Sequence, residues 1–498
     1  MINKVYHSIF GFLTGFLLLT GISLHGQQSN TFYLMHDVPQ SNLLNPAVQL
    51  ACKWYIGLPA IASTYSKYSN TAFTYNDLAG GANSNFESLY KQLHKTDLIS
   101  FEAGANLISL GYRHNSNYFT INIADRMSIN NTLPRDLSGL ALFGNGQFIG
   151  KTADLSGLRV NGLYFREYAF GYSRVLDIFT TLGIRLKLLF GKANVYSENS
   201  QIGLTTDENS FDLHLAGNYT ISSSLPITIN YDSAGNISGV SPEEEIDYRS
   251  AMLNRQNEGF AIDFGVIYHY NSKITLSASL LDLGIINWKS DLNTINLQGS
   301  FDYTGAHPDT DFSSGGAYLT DLRDSLYDAF DVTVSNYPYY SWLPTQLFLG
   351  GTYHLKPNIY LGLTNRNVIF RKKIHSSFTL SANADVSNRL LASVSWSYLN
   401  NSIKNIGVGL AVHGNGMQFH IVSDNILGYL QPFDTRSVNL RVGFNLMLGC
   451  PRDKREAKEQ STSNYSGGLP DGNCGSVKVP KFRKKYRKEA EKRNRKRK

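Results

Sequence analysis

Cysteine is almost missing from this chain of 498 residues, which has three: Cys52, Cys450 and Cys474. Three cysteines exclude a disulfide-framed fold. Two arrangements stay open, a Cys450–Cys474 bridge with Cys52 alone, or three unpaired thiols. Long apolar runs are missing too. No stretch of about 20 apolar residues follows Leu24, which excludes a bundle of membrane-spanning helices. Phosphate loops are absent as well. Gly407, Gly409, Gly414 and Gly416 are spaced for strand bends and turns, and Gly350-Gly351 for a strand kink, with no strand–glycine–helix context. One histidine pair, His413 and His420, flanks Gly414-Asn415-Gly416, with Asp424 beyond. No third ligand stands at usable spacing, so polar histidines at a hairpin are expected there rather than a metal centre. No catalytic, cofactor or metal site is expected, and the chain reads as a non-enzyme.

What the chain does have begins with a leader. Lys4 and His7 precede an apolar run over residues 9–24, followed by His25-Gly26-Gln27. This is a secretory signal pattern, with residues 1–26 expected to be removed. No cysteine lies near that site, which argues against a lipoprotein anchor. The formal charge of +7 belongs to the other end. Residues 451–498 hold 17 Lys and Arg against 6 Asp and Glu, leaving 29 against 33 in the rest of the chain. Arg483, Lys484, Lys485, Arg487, Arg495 and Arg497 are among the 13 basic residues of 477–498. A like-charged block of this kind is expected as a disordered or solvated tail, here residues 450–498.

Between leader and tail the sequence alternates. Leu390, Ala392, Val394, Trp396 and Tyr398 share one parity, and Ser393, Ser395 and Ser397 the other. Val438, Leu440, Val442, Phe444, Leu446 and Leu448 alternate in the same way with Asn439, Arg441, Gly443 and Asn445. A strand with one apolar and one polar face needs two solvents. A sandwich supplies them as core and water; a membrane barrel supplies lipid outside and a polar lumen inside, with no open edge. Repeated segments of about ten residues favour the barrel. The expected fold class is therefore all-β, a single transmembrane antiparallel β-barrel over residues 53–449 with about 14 strands, in a range of roughly 12–16.

The wall is expected to start with a strand at 53–65, with a further candidate strand at 71–75. Residues 84–96 carry Phe86, Leu89, Tyr90 and Leu93 at helical spacing and read as a short helix outside the wall. A hairpin follows at 105–114 and 118–129, then strands within 155–174 and at 178–196, 211–224, 258–270 and 273–285, with about six more after Pro344. Residues 290–343 form the largest interruption, with a helical-looking 320–330 and the aromatics Tyr337, Tyr339, Tyr340 and Trp342. Long excursions belong on the extracellular rim and short turns on the periplasmic side. A lipid-facing Arg or Lys at mid-depth costs about 2–4 kcal/mol, so Arg185, Lys187, Asn439, Arg441 and Asn445 are expected to face the lumen. Residues 27–52 do not alternate, and Asn45-Pro46 favours a turn. They read as a non-strand segment ahead of the barrel.

Several stretches resemble a known family. They are Val38-Pro39-Gln40-Ser41 with Asn45-Pro46-Ala47, Phe73-Thr74-Tyr75-Asn76-Asp77-Leu78, Arg166-Glu167-Tyr168-Ala169-Phe170-Gly171-Tyr172-Ser173, and Leu189-Phe190-Gly191-Lys192-Ala193-Asn194-Val195. Val422-Ser423-Asp424-Asn425 and Ser437-Val438-Asn439-Leu440-Arg441-Val442-Gly443-Phe444-Asn445 complete the set. Together they resemble a Bacteroidetes family of outer-membrane barrels of unknown function. Its architecture is similar to that of long-chain fatty-acid transporters and, more distantly, of type IX secretion barrel components. The resemblance spans roughly residues 30–449 and implies an outer-membrane location without catalytic residues. It also implies that the N-terminal segment enters the lumen, with Asn45, Pro46 and Ala47 as candidate plug residues. Such a segment either acts as a hatch or only fills the lumen, and in both cases the barrel is no open porin.

Two functions remain at this level. One is a plugged, fatty-acid-transporter-like channel for small hydrophobic or amphipathic compounds, with Tyr337, Tyr339, Tyr340 and Trp342 as a capture surface on a long loop. The other is a structural barrel in a larger envelope complex for secretion, gliding or barrel assembly, tethered through the basic tail. Outer-membrane lipid is the expected partner in both. A periplasmic protein or peptidoglycan is the expected partner of the tail. Nucleic acid is not, because the compartment excludes it.

Overall fold

The computed structural model of the protein describes residues 30–79, 86–231, 237–243, 253–304, 325, 329–370, 373–387, 389–399 and 402–450. The leader at 1–26, the tail beyond Cys450 with Cys474, and nearly all of 320–330 lie outside the described residues.

Alternation along an extended chain yields strands with two unlike faces, and here it yields a wall of fourteen. β1 is made of two pieces, Trp54–Gly57 and Thr64–Asn70. β2 is Thr96–His114, β3 Asn117–Pro134, β4 Asn161–Val175, β5 Thr180–Thr206, β6 Asn257–His269 and β7 Ile274–Trp288. β8 again has two pieces, Tyr339–Trp342 and Thr345–Lys356. β9 is Ile359–Phe370, β10 Lys373–Ser387 and β11 Leu390–Leu399. β12 is Ser402–Gly414, β13 Met417–Ser423 and β14 Ser437–Leu448. Each strand pairs antiparallel with the next. β14 pairs back onto both pieces of β1. The ring is closed, with no open edge between β14 and β1.

One end of the barrel carries six turns of two to four residues. Asn415-Gly416 shows why such turns are possible: both residues are left-handed, at φ 49° and 80°, which matches the twist of a tight hairpin. The other end carries the long excursions at 71–95, 135–160, 207–256 and 289–338. On the outer face Leu182, Leu188, Leu363, Leu380 and Val394 are all 44% exposed or more. Serines on the opposite parity of the same strands, such as Ser381, Ser393 and Ser395, are buried inside. The polar side is the inside. That inversion is the signature of a barrel whose outer solvent is lipid.

Several expected strands sit elsewhere. Residues 211–224 do form a strand, Leu213–Ser224, but outside the wall. It pairs with the upper part of β5 from Asn194 to Thr206 and with Leu292–Tyr303, in a sheet that rises above the ring. The ladder here continues because β5 is 27 residues long and outlasts β6, its wall neighbour. No strand forms at 71–75; a short helix, Tyr75–Ala79, begins there instead. The first strand is longer than expected and interrupted at 58–63. This excursion stays stitched to β14 by Leu58 N–H to Phe444 O at 3.1 Å and Phe444 N–H to Ile61 O at 2.9 Å. Seven strands rather than six follow Pro344, counting β8. The expected helix outside the wall is present as Phe86–Gln92, with Leu89 buried.

The cysteines correct both arrangements that the spacing left open. Cys52 is bonded to Cys450 across a sequence separation of 398. The two meet because β1 and β14 are wall neighbours, with Trp54 opposite Leu448, something linear spacing does not show. The bond clips the entry of the barrel to its exit at the short-turn end. In the chain-entropy picture, closing a loop of this size contributes roughly 5–6 kcal/mol at most. Cys52→Ser should therefore lower the temperature at which the folded form disappears on unboiled gels by several degrees. Non-reducing peptide mapping should find a Cys52–Cys450 link, and a Cys450–Cys474 peptide in its place would refute the assignment.

Candidate functional site

Inside the ring lies residues 30–50, an irregular segment buried almost throughout. A backbone that crosses a lumen without joining a ladder must find a partner for each polar group. The wall supplies them. Thr31 N–H donates to Asp424 Oδ1 at 2.7 Å, and Asn30 Nδ2 to Ser377 Oγ at 3.0 Å. Gln40 and Asn445 exchange amide hydrogen bonds, the longer at 2.9 Å. Ser279 Oγ donates to Leu44 O at 2.6 Å, and Asn45 Nδ2 to the carbonyls of Val266 and Ala278. Arg113 Nη2 donates to Gln49 Oε1 at 3.1 Å. Apolar contacts complete the seat: Phe32, Tyr33, Leu34, Met35 and Leu44 share one core with Leu281, Phe348 and Leu391 of the wall. Tyr33 stacks on Phe348 at 4.7 Å.

Glycines make room for the segment. A Cβ on Gly183 would overlap the Pro46 carbonyl, and one on Gly265 would meet Asn45 and Pro46. On Gly350 it would meet the Tyr33 ring, on Gly407 Thr31 Oγ1, and on Gly409 Met35 Sδ. This corrects the expectation that 350, 407 and 409 are kinks or bends. They stand inside regular strands and are seats for the plug.

Arg185, expected to face the lumen, is 1% exposed and grips the segment directly. Its Nη2 donates to Asn42 O and Oδ1, both at 2.6 Å, and Nη1 to Leu43 O at 3.2 Å. Asp263 balances it at 3.1 Å and also holds Lys187 at 2.8 Å. Lys187 reaches Asp282 at 2.6 Å and Glu167 at 3.9 Å, and Glu167 binds Arg126 at 2.9 Å. The six groups form one network of three cations and three carboxylates, so the buried charge is matched. Asn439, Arg441 and Asn445 of β14 are likewise buried inside. Arg441 lies over the rings of Phe32 and Tyr65, 4.8 Å from each.

Above the plug the lumen holds a chamber of about 330 Å³. Leu43 and Leu44 form its floor, and it reaches Thr71, Ser376 and Leu399 at the long-loop rim. Its lining mixes charged side chains, with Lys67, Glu102, Arg126 and Arg366, and apolar ones, with Leu98, Leu163, Phe165 and Leu343. Lys67 pairs with Glu102 at 2.6 Å. Arg366 donates to Gln346 Oε1 and lies over Phe348.

The four aromatics expected as one capture surface are separated by strand parity. Tyr339, Tyr340 and Trp342 lie in the wall strand β8, not on a loop. Tyr339 is buried, its hydroxyl donating to Asn194 Oδ1 at 2.8 Å, while Tyr340 and Trp342 are 59% and 66% exposed on the outside, and Tyr337, ahead of β8, is 76% exposed. His413 and His420 do not converge either. His413 meets Gln418, and His420 is stacked on Phe32 at 5.5 Å. Among the described residues no group of three or more His, Cys, Asp or Glu is placed to hold a metal ion. Sequence reading gave no role in holding the plug to Asp424, Asp263, Asp282 or the plug-facing glycines. Inward parity would have found the glycines; the acids carry no linear signal.

A family model described as a family of unknown function, DUF5723, matches residues 46–424, about three quarters of the chain. The chain belongs to this family. No curated protein matches it in sequence. Among solved structures, the P. putida toluene transporter TodX is 11% identical, covering 86% of this chain and 96% of that chain at a TM-score of 0.36. The Ralstonia pickettii toluene transporter TbuX is 9% identical, covering 82% and 94% at 0.38. A Pseudomonas aeruginosa FadL homologue is 8% identical, covering 86% and 99% at 0.35. Likeness at this level carries no argument about what this DUF5723 barrel does. The family match begins at Pro46, so most of the plug and all of β14 lie outside it.

The seat of the plug is open to test by two substitutions. Gly183→Ala forces a methyl into the Pro46 carbonyl, and overpacking of this kind costs about 1–3 kcal/mol. Arg185→Leu removes the grip and leaves Asp263 with Lys187 alone, which costs several kcal/mol. Both should make residues 30–46 cleavable by protease in a barrel that still runs as folded on gels. Gly146→Ala, which meets nothing within 4 Å, should not.

Proposed function

We propose that this barrel sits in the bacterial outer membrane as a plugged channel for small hydrophobic or amphipathic compounds, entering from the long-loop end. The observation that supports this reading is the chamber above the plug, whose lining carries both charged and apolar side chains. A compound with an apolar body and a polar head matches such a lining better than an ion or a sugar does. Onward passage needs the plug to move, because Leu43 and Leu44 close the floor.

In planar bilayers the full chain should conduct little, and a chain lacking residues 30–46 should conduct as an open pore. Ser128→Trp fills the chamber from β3 and should abolish binding of a fluorescent medium-chain amphipath while the barrel stays folded. Equal probe binding by Ser128→Trp and the unaltered chain would sink the reading.

A second reading, a structural barrel in an envelope complex, draws on one observation. Cys450 is tied to Cys52 at the short-turn end, so residues 451–498 depart from that end. There a basic tail meets anionic or acidic partners. A chain ending at Cys450 should fold normally but lose any stoichiometric periplasmic protein or peptidoglycan that purifies with the full chain. Identical co-purification would remove the tail from the account.

A further inference from the structure

The outer face of the wall is apolar along β5 through Leu182, Ile184, Leu186, Leu188 and Phe190, and then reads Lys192. The eleven residues of tilted strand from Thr180 to Phe190 rise roughly 25 Å, about the height of a barrel's lipid-facing band. Lys192 therefore stands at the upper edge of that band. Phe190 is the centre of a cluster there. Arg166 of β4 lies directly across from it on one side and Glu258 of β6 on the other. The Tyr168 ring meets Phe190 edge-on at 5.6 Å, and the Arg255 guanidinium lies 6.0 Å above it. Lys192 donates to the carbonyl of Asn254, and Arg166, Arg255 and Asp125 are within its electrostatic reach.

Among the described residues two carboxylates share this face, and each already has a partner. Asp125 takes Arg166 Nε and Nη2 at 2.7 and 2.8 Å, which fixes the guanidinium and leaves its Nη1 outside the pair. Glu258 faces Lys289 at 3.4 Å. Among the described residues, Arg166, Lys192, Arg255 and Lys289 against Asp125 and Glu258 leave an excess of two positive charges at the membrane edge. Strands inside the lipid band avoid such charge; a cluster held in place by a bidentate pair and an aromatic floor is a constructed feature.

We propose that this patch binds the phosphate of an anionic lipid headgroup in the outer leaflet. Lys192 and Arg255 stand beside Phe190, next to Arg166, whose side chain is 14% exposed, and guanidinium and ammonium donors suit a phosphate's oxygens. Phe190, Tyr168 and Leu188 below them offer the apolar wall that the lipid's acyl chain follows, with aromatics at the interface. The inference rests on the membrane reading above, with the long-loop end outward.

The test uses the purified full chain in non-ionic detergent with bisphosphorylated lipid A, its phosphate-free counterpart and inorganic phosphate as probes. Native mass spectrometry and the midpoint of thermal unfolding are the readouts. Bisphosphorylated lipid A should stay bound and raise the midpoint, and neither of the other probes should. The double variant Lys192→Gln, Arg255→Gln should weaken lipid A binding roughly ten-fold or more. It leaves the Arg166–Asp125 pair intact, so the fold is not at stake. Lys404→Gln, an exposed basic residue on the far side, should bind as the unaltered chain does. Equal retention by the double variant, or equal binding of the phosphate-free lipid, overturns the site. Binding of inorganic phosphate alone overturns the lipid source. Failure of the unaltered chain to insert into vesicles instead overturns the membrane reading on which the site rests.

Discussion

Hydrogen bonding inside the lumen is the constraint on which the rest depends. Closing the wall satisfies the strands, but a non-strand segment threaded through the ring exposes donors and acceptors with no ladder to join. The wall answers with side chains from nearly every direction: Asp424 for the start of the segment, Arg185 for the middle carbonyls, Asn445 for Gln40 and Arg113 for Gln49. These polar residues are buried because the segment fills the space that water would hold in an open pore. The polar parity of the strands, the inward glycines and the shape of the chamber all follow from its presence.

Arg185 links two parts of that arrangement. Its guanidinium holds the carbonyls of Asn42 and Leu43, while its counter-ion Asp263 is shared with Lys187, whose other partners Asp282 and Glu167 line the chamber. Networks of this size are stable only while matched, since an unpaired buried charge is far costlier than a paired one. The matched set of three cations and three carboxylates therefore joins the residues that hold the segment to residues that line the chamber.

Much of the wall was legible from residue order. Leu390 to Leu399 shows how: a parity of large apolar side chains against a parity of serines has one solution in lipid and one in water, and repetition without a second apolar layer selects lipid. Where reading went astray, the local pattern was right and its neighbour was wrong. Leu213–Ser224 alternates like a wall strand, yet it pairs above the ring because β5 outlasts β6. Tyr339, Tyr340 and Trp342 form one cluster in sequence but point to opposite sides of β8.

The sequence by itself determined that the chain forms amphipathic strands in number enough for a barrel, and that its residues near Asn45-Pro46 would not join them. Those are properties of period two and of proline, and both act within a few residues. Only the tertiary structure decided that Cys52 meets Cys450, that Arg185 holds Asn42, and that Arg166 and Lys192 share a patch beside Arg255. Each of these depends on which strand lies beside which, and on closure that brings β14 back to β1. Neighbour choice in a ring is set by the whole circuit at once, so no single stretch of sequence carries it.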